Sequence, residues 1–303
     1  MQSRRLILAA ICLLSMPTLG TFDLSAEQQA PLAGPPVASF KTTVDLVQVS
    51  AIVRDRKGRF VDDLSARDFE VLDGGQSRTI ADFRRESTGV SIALLFDASG
   101  SMESRIVEAR EAAGHILSWL DDRDEAAIFS FDTRLDQVRA FSTGRQALPE
   151  RLATLTPFGA TSLHDAIAKT AESLATREGR RRGVIVLTDG KDNASHLTPS
   201  EVSGIASAID VPVYVVGIVR AIDNPSAQEF TSTLERSPLS GRLADLASWT
   251  GGSVFAVSTP AERSQAAQSM LAELRHQYVI AFESNGNPGW HPLVVRTRTK
   301  DLN

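Results

Sequence analysis

Residues 90–101 read VSIALLFDASGS, and this stretch decides the fold class. Residues 90–96 are apolar apart from Ser91, and a short, nearly continuous apolar run is typical of a strand that is buried on both faces. From about Glu103 onward, apolar residues recur at the spacing of a helix, at Ile106, Ala109, Ala113, Ile116, Leu117 and Leu120. A buried strand followed by a helix is the repeating unit of a parallel sheet.

The same unit recurs along the middle of the chain. Apolar runs predict further strands at 126–131, 184–187, 212–219 and 252–257. Helical spacing predicts helices at 163–175, 199–209, 243–248 and 261–275. The tight link at 132–134 predicts an antiparallel hairpin between the strand that precedes it and residues 135–141. The sequence therefore predicts an α/β fold with a doubly wound, mostly parallel sheet flanked by helices.

Both flanks of this region are predicted to be β. On the N-terminal side, residues 43–53 alternate between apolar and polar positions, and residues 69–72 and 79–83 predict two more short strands. On the C-terminal side, residues 278–282 and 293–297 predict strands, joined by a turn at 285–289. We expect the flanks to build one small β unit. The predicted divisions are an N-terminal β unit at 40–88, the α/β domain at 89–275 and C-terminal β strands at 276–303.

The start of the chain has the pattern of a secretory signal peptide. Arg4 and Arg5 precede an apolar run at 6–16, which is shorter than the roughly 20 residues that span a bilayer. We expect residues 1–20 to be the signal peptide and residues 21–39, which contain several Pro, Gln and Gly, to be a flexible linker. The protein is therefore predicted to be exported to the periplasm, the cell surface or the extracellular space, with no transmembrane span after signal removal.

Composition excludes several classes of protein. An apolar fraction of 42% with a charged fraction of 23% is ordinary for a globular protein with a full core, so a mainly disordered chain and a polytopic membrane protein are excluded. The formal charge of -5 provides no basic field for nucleic acid, and we expect no nucleic-acid partner.

Side chains that carry oxygen follow the predicted buried strands. In doubly wound sheets, ligands bind outside the carboxyl ends of the strands. Asp97, Ser99 and Ser101 follow the first strand, Thr161 lies ahead of the second helix, and Asp189 follows the strand at 184–187. This all-oxygen set favours Mg²⁺, Ca²⁺ or Mn²⁺ over Zn²⁺. The alternative for the first three residues is a helix N-cap, where Asp and Ser are also favoured.

These motifs resemble the von Willebrand factor type A domain. Its metal-ion-dependent adhesion site has the form Asp-x-Ser-x-Ser, a Thr in a Gly-x-Thr loop, and an Asp after a later strand. All five positions are filled here, by Asp97, Ser99, Ser101, Thr161 and Asp189. The resemblance covers about residues 90–275 and implies a Rossmann-like sheet. The β flanks look like those of a bacterial, acidobacterial-type family of secreted von Willebrand A-related proteins.

The resemblance implies binding rather than turnover, so we expect no enzymatic activity. It implies that the Ser and Thr hydroxyls contact a divalent cation and that the aspartates act directly or through water. Two carboxylates balance the cation, neutral hydroxyls leave it electrophilic, and an open position would attract an Asp or Glu of a protein or peptide partner. We expect an exported adhesion or scaffold module that binds Mg²⁺, with Mn²⁺ or Ca²⁺ as the alternatives.

Two other functions remain as alternatives. One is a Mg²⁺-dependent phosphatase of the haloacid dehalogenase type, with Asp97, Thr188, Lys191 and Asp189 in its roles. Those enzymes need a second Asp two residues after the nucleophile, and Ser99 stands there. The other is a structural envelope component that binds no metal.

Four further features are given ordinary structural interpretations. The acidic stretch 121–125 is predicted to be a solvated loop, and the arginines at 177–182 a solvated helix end. Trp119 and Trp249 are predicted to be packing residues. His164 is predicted to be a surface or capping histidine outside the site.

Overall fold

The computed structural model describes residues 46–85, 89–177, 179–208, 210–219, 243–284, 292–299 and 302. The predicted signal peptide at 1–20, the linker at 21–39 and the turn at 285–289 lie outside these residues. Among the helices that the structure describes, none combines the length and the apolar character needed to cross a bilayer. All described residues belong to one compact unit, Val44–Asn303.

A six-stranded sheet forms the centre of the fold, in the order β10-β9-β8-β5-β6-β7. All neighbouring strands in it are parallel except β6 and β7, which form the predicted antiparallel hairpin. The strands are β5 (Val90–Asp97), β6 (Glu125–Phe131), β7 (Leu135–Thr143), β8 (Arg181–Thr188), β9 (Val213–Ile218) and β10 (Val254–Val257). The predicted doubly wound, mostly parallel sheet is confirmed.

Helices cover both faces of this sheet. They are α1 (Ile106–Ser118), α2 (Glu150–Ala153), α3 (Leu163–Leu174), α4 (Pro199–Ala208), α5 (Leu243–Trp249) and α6 (Pro260–Arg275). A 3-10 helix at Gly100–Arg105 precedes α1, so the helix predicted from Glu103 begins with a tighter turn. Side chains of β5 alternate between the two cores: Leu94 packs with α1 and α6, and Leu95 packs with α3, α4 and α5. This alternation explains the continuous apolar run, because both faces of the strand are buried.

The two flanks fold together into two small antiparallel sheets, as the sequence predicts. One sheet has the order β1-β11-β4 and the other β12-β2-β3, so each combines strands from both flanks. The strands are β1 (Leu46–Ala51), β2 (Phe69–Asp73), β3 (Gln76–Arg78), β4 (Ile80–Arg84), β11 (Tyr278–Glu283) and β12 (Leu293–Thr297). Their shared core contains Val53, Phe69, Val71, Tyr278, Ile280 and Phe282.

Two acidic residues of the predicted solvated loop, Asp124 and Glu125, are buried at the amino ends of the central strands. Asp124 accepts hydrogen bonds from the backbone of Val90 and from Arg275, and Glu125 accepts from Ser91 and Arg177. These carboxylates satisfy groups at the start of β5 and β6 that would otherwise lack partners. The prediction of a solvated acidic loop is wrong for both residues.

The predicted solvated arginine cluster is also partly wrong. Arg181 is the first residue of β8, and it is buried with one guanidinium nitrogen donating to the carbonyl of Arg85. Arg177 forms an ion pair with Glu125.

The two tryptophans are exposed, although the sequence predicts that they are packed. Trp119 is 43% exposed and Trp249 53% exposed, and both lie at the carboxyl ends of helices, so the packing prediction fails for them.

Candidate metal centre

The loop after β5 and the loop before α3 are bonded to each other. The backbone N–H of Gly100 donates to the carbonyl of Gly159 at 3.0 Å, and that of Phe158 donates to the carbonyl of Ala98 at 2.9 Å. A Cβ atom on Gly100 would lie 3.3 Å from the Gly159 carbonyl oxygen, closer than ordinary van der Waals contact. Gly100 is therefore needed for the close approach of the two loops.

Thr161 is tied to a third loop, the one that follows β8. Its backbone N–H donates to Oδ1 of Asn193 at 2.8 Å, and its carbonyl accepts from the backbone of Asn193 and Ala194. The residue is 1% exposed. Three separate loops therefore meet at the carboxyl edge of the central sheet, as the sequence predicts.

Four of the five predicted ligands form one connected chain of polar contacts. The backbone N–H of Ser99 donates to Oδ1 of Asp97 at 2.9 Å, and the hydroxyls of Ser99 and Ser101 lie 3.2 Å apart. Ser101 Oγ donates to Oδ1 of Asp189 at 3.1 Å, which links groups 88 positions apart in the chain. The hydroxyl of Thr161 makes no hydrogen bond to these four, and its backbone bonds instead to Asn193 and Ala194, in the loop that also carries Asp189.

Asp97 is completely buried, and both of its carboxylate oxygens are engaged. Thr188 Oγ1 donates to Oδ2 at 2.6 Å, and Oδ1 accepts from Ser99. Burial raises the pKa of Asp97 to about 6, in spite of the hydrogen bonds from Ser99 and Thr188 that lower it. Each carboxylate oxygen has two lone pairs, so each retains one after these hydrogen bonds.

Asp189 has one carboxylate oxygen that is held by ionic contacts alone. Its Oδ2 atom is buried and has no hydrogen bond, although Lys191 Nζ lies 3.2 Å away and Arg105 Nη1 3.7 Å away in ionic contact. Buried polar atoms are rarely left without a hydrogen bond, and a bound ion is one way to satisfy them. Two carboxylates with neighbouring hydroxyls are a donor set that suits a hard cation such as Mg²⁺.

The hydroxyls are essential to this interpretation. Across the part of the chain that the structure describes, no group of three or more His, Cys, Asp or Glu side chains could hold a metal ion. A cation at this edge would therefore depend on Ser99, Ser101 and Thr161 as well as on the carboxylates.

The N-cap alternative does not describe what the serines do. Ser99 stands at the N-cap of the 3-10 helix, but its side chain makes no capping hydrogen bond. Its hydroxyl faces that of Ser101 instead, and the hydroxyl of Ser101 turns to Asp189. Both serines point their oxygens into the polar cluster.

His164 is predicted to be a surface or capping histidine outside the site, and the structure excludes the surface alternative. It is 8% exposed, and its Nδ1 lies 2.8 Å from Oδ2 of Asp192. Burial alone would raise the pKa of Asp192, but hydrogen bonds from His164 and Ser195 lower it well below its ordinary value. This pair joins the start of α3 to the loop after β8 and so fixes the segment that carries Thr161.

Sequence reasoning missed four residues around the centre as parts of a binding site. Thr188 and Lys191 have predicted roles only in the phosphatase alternative, and Arg105 and Asn193 have no predicted role in the metal site. The sequence does indicate that Thr188 lies near the site, since it is the last residue of a buried strand and is next to Asp189. In the observed register Phe96 pairs with Leu187, so the following residues, Asp97 and Thr188, emerge side by side.

Comparison with known proteins identifies the family. The sequence model for the von Willebrand factor type A domain matches residues 91–259. The comparison with curated proteins found no match.

Several solved structures are similar to the chain. An aerotolerance-related membrane protein from Bacteroides fragilis is 18% identical, with a TM-score of 0.49, and the match covers 61% of this chain and 98% of that one. A von Willebrand factor type A protein from Catenulispora acidiphila is 15% identical, with a TM-score of 0.47 and coverage of 87% and 73%. The manganese-loaded TRAP protein of Plasmodium vivax is 16% identical, with a TM-score of 0.41 and coverage of 72% and 81%.

The family assignment depends on the sequence match, which spans more than half of the chain and contains the central sheet, except for its first residue, and the helices α1 to α5. The chain belongs to the von Willebrand factor type A domain family.

Proposed function

We propose that this protein is an exported, metal-dependent binding module that captures an acidic side chain of a protein partner through a divalent cation. The observation that carries the proposal is the contact chain from Asp97 through Ser99 and Ser101 to Oδ1 of Asp189. The other oxygen of this carboxylate, Oδ2, is buried and has ionic contacts but no hydrogen bond. Family membership supports a general adhesion or scaffold role. Export is proposed from the signal-peptide pattern of residues 1–20.

The residues at the sheet edge have distinct roles in this proposal. Ser99, Ser101 and Thr161 offer neutral hydroxyl oxygens, and Asp189 offers a carboxylate with a free lone pair. Asp97 is held by Thr188 and orients the loop that carries the serines. The bound cation supplies an electrophilic position for a carboxylate oxygen of the partner. We propose Mg²⁺, because carboxylate and hydroxyl oxygens are hard ligands, with Mn²⁺ or Ca²⁺ as substitutes.

We propose binding without turnover. A phosphatase of the haloacid dehalogenase type would use Asp97 as its nucleophile, yet this carboxylate is inaccessible to solvent and both of its oxygens accept hydrogen bonds. Ser99 also replaces the acid that such an enzyme needs. We expect no metal-dependent hydrolysis of a chromogenic phosphate ester; turnover that is lost in Asp97→Asn would contradict the proposal.

Metal binding is the first test. We expect isothermal titration of the wild type with Mg²⁺ or Mn²⁺ to show one site, and Ser101→Ala to weaken it by about tenfold or more, since one ligand and its contact to Asp189 are lost. Ser118→Ala is the matched control, because Ser118 is an exposed serine at the end of α1. Absence of binding by the folded wild type would favour a structural component that uses no metal.

Partner capture is the second test. Affinity capture from a native envelope extract should yield a partner with Mg²⁺ present and lose it in excess EDTA. Ser101→Ala should lose the same partner and Ser118→Ala should retain it. Capture that persists in EDTA would contradict metal-dependent binding.

A further inference from the structure

Two cationic side chains contact Asp189, a carboxylate that the proposed metal site needs. Lys191 Nζ lies 3.2 Å from Asp189 Oδ2, and Arg105 Nη1 lies 3.7 Å from the same oxygen. Arg105 also donates to the carbonyl of Ser101 at 3.4 Å, which holds its guanidinium at the rim of the serine loop. The Lys191 side chain is 62% exposed, so its ammonium group is accessible to a partner.

These cations change the charge balance of the loaded centre. Asp97 and Asp189 together neutralise a divalent cation. Arg105 and Lys191 then remain as two positive charges beside it, and one carboxylate from a partner neutralises only one of them. Repulsion between the cation and these two basic side chains costs free energy, because all three lie within a few ångströms at a partly buried edge. A second negative charge from the ligand would reduce this cost and is therefore favoured.

We infer that this centre selects a peptide segment with two neighbouring carboxylates, one for the metal position and one for the pair formed by Lys191 and Arg105. The inference rests on the proposed function, and it specifies the class of partner for the same site. Asp189 Oδ2 would lie where the two recognition elements meet, because Lys191 and Arg105 contact this oxygen and the proposed cation would bind the same carboxylate.

In this arrangement, Lys191 has opposite effects on the affinity for the metal and on the affinity for the ligand. Lys191 is attracted to Asp189 and repelled by a cation beside it, so it opposes metal binding in the absence of a ligand. When an acidic ligand is present, the same ammonium group contributes to holding it. Metal and ligand therefore bind with positive coupling, and each raises the affinity for the other by the same factor.

Replacement of the lysine separates these two effects. In Lys191→Gln we expect Mg²⁺ to bind about two- to fivefold more tightly than in the wild type, as measured by isothermal titration at low ionic strength. The same variant should lose about two- to fivefold in affinity for a diacidic peptide. Lys191→Arg should restore both values. Lys169→Ala, an exposed lysine on α3, is the matched control and should change neither.

The ligand probes are two labelled glycine-serine peptides of equal length, one with a single aspartate and one with two aspartates in succession. Fluorescence anisotropy in Mg²⁺ should show tighter binding of the two-aspartate peptide to the wild type, and Lys191→Gln should reduce this preference. The preference should decrease as salt is added, because the rim charges are close to solvent.

The possible outcomes distinguish the two proposals. Failure of the wild type to bind Mg²⁺ would overturn the proposed function together with this inference. Normal Mg²⁺ binding with equal or absent binding of the two peptides would overturn the inference alone. A Lys191→Gln variant that only loses thermal stability, with metal affinity and peptide preference unchanged, would assign Lys191 a structural role and would also overturn it.

Discussion

At the scale of single residues, the centre depends on a buried carboxylate whose orientation is set by a neighbour. Thr188 donates to Asp97 Oδ2 and accepts from the backbone N–H of Gly190, so one hydroxyl links the ends of β5 and β8. Removal of that hydroxyl leaves Asp97 with one fewer donor in a site that water does not reach.

We therefore expect Thr188→Val to destabilise the protein by about 1–3 kcal/mol and to weaken Mg²⁺ binding. Urea unfolding and isothermal titration measure the two effects. Thr154→Val is the control, because its hydroxyl bonds only to the carbonyl of Glu150 on an exposed turn. Equal stability of the two variants would show that the hydroxyl of Thr188 does not hold Asp97.

At the scale of elements, the centre depends on how closely two loops approach. Gly100 and Gly159 bring the β5 loop and the α3 loop together, and the space for a side chain at Gly100 is limited by the Gly159 carbonyl. Addition of one methyl group at Gly100 must move one loop by a few tenths of an ångström.

Gly100→Ala should therefore weaken Mg²⁺ binding while the overall circular dichroism stays unchanged, since the displaced loop carries Ser99 and Ser101. The cost in stability should be about 1–3 kcal/mol. Gly114→Ala is a contrasting control, because nothing lies within 4 Å of a Cβ added at that position in α1. It should stabilise the protein by about 0.5–1 kcal/mol through helix propensity. Unchanged metal affinity in Gly100→Ala would show that the loop contact does not position the serines.

At the scale of the whole molecule, the two ends of the central sheet have different chemistry. The carboxyl edge carries hydroxyls and the proposed metal site, and the amino edge is closed by ion pairs. Glu125, at the start of β6, is nearly buried and is held by Arg177 and Ser91. Burial alone would raise the pKa of Glu125, but these partners lower it below its ordinary value of 4.5.

A carboxylate with a lowered folded-state pKa contributes stability above its unfolded pKa and loses that contribution as the pH falls through the folded-state value. We expect Glu125→Gln to be less stable than the wild type by about 1–3 kcal/mol at pH 7, and the difference to shrink as the pH falls below about 4.5. Urea unfolding between pH 3 and pH 7 measures this. Glu150→Gln, an exposed replacement, should follow the wild type throughout. Parallel curves for the wild type and Glu125→Gln would refute the assignment.

The central sheet was predictable because its signals are local. The apolar run of β5 and the helical spacing after it can be recognised without any knowledge of the rest of the molecule. Asp97, Ser99 and Ser101 lie within one stretch of five residues. The meeting of these residues with Asp189 followed from a general rule about strand ends.

What could not be predicted depends on partners that are distant in sequence. Nothing near Glu125 shows that Arg177 will reach it, and nothing near His164 identifies Asp192 as its partner. The same holds for the ionic contact between Arg105 and Asp189. The charged residues at 121–125 and 177–182 are therefore predicted to be solvated, although Asp124, Glu125 and Arg181 are buried by contacts that are distant in sequence.

The position of β11 has a consequence for the order of assembly. This strand lies between β1 and β4, which pair with it and not with each other. Leu46 pairs with Glu283, so β1 and β4 gain the strand between them only after the whole central α/β region has been synthesised. Such distant pairing costs loop-closure entropy and slows folding. We therefore expect β1 and β4 to lack their partner strand while the α/β domain forms, and this sheet to close only after it.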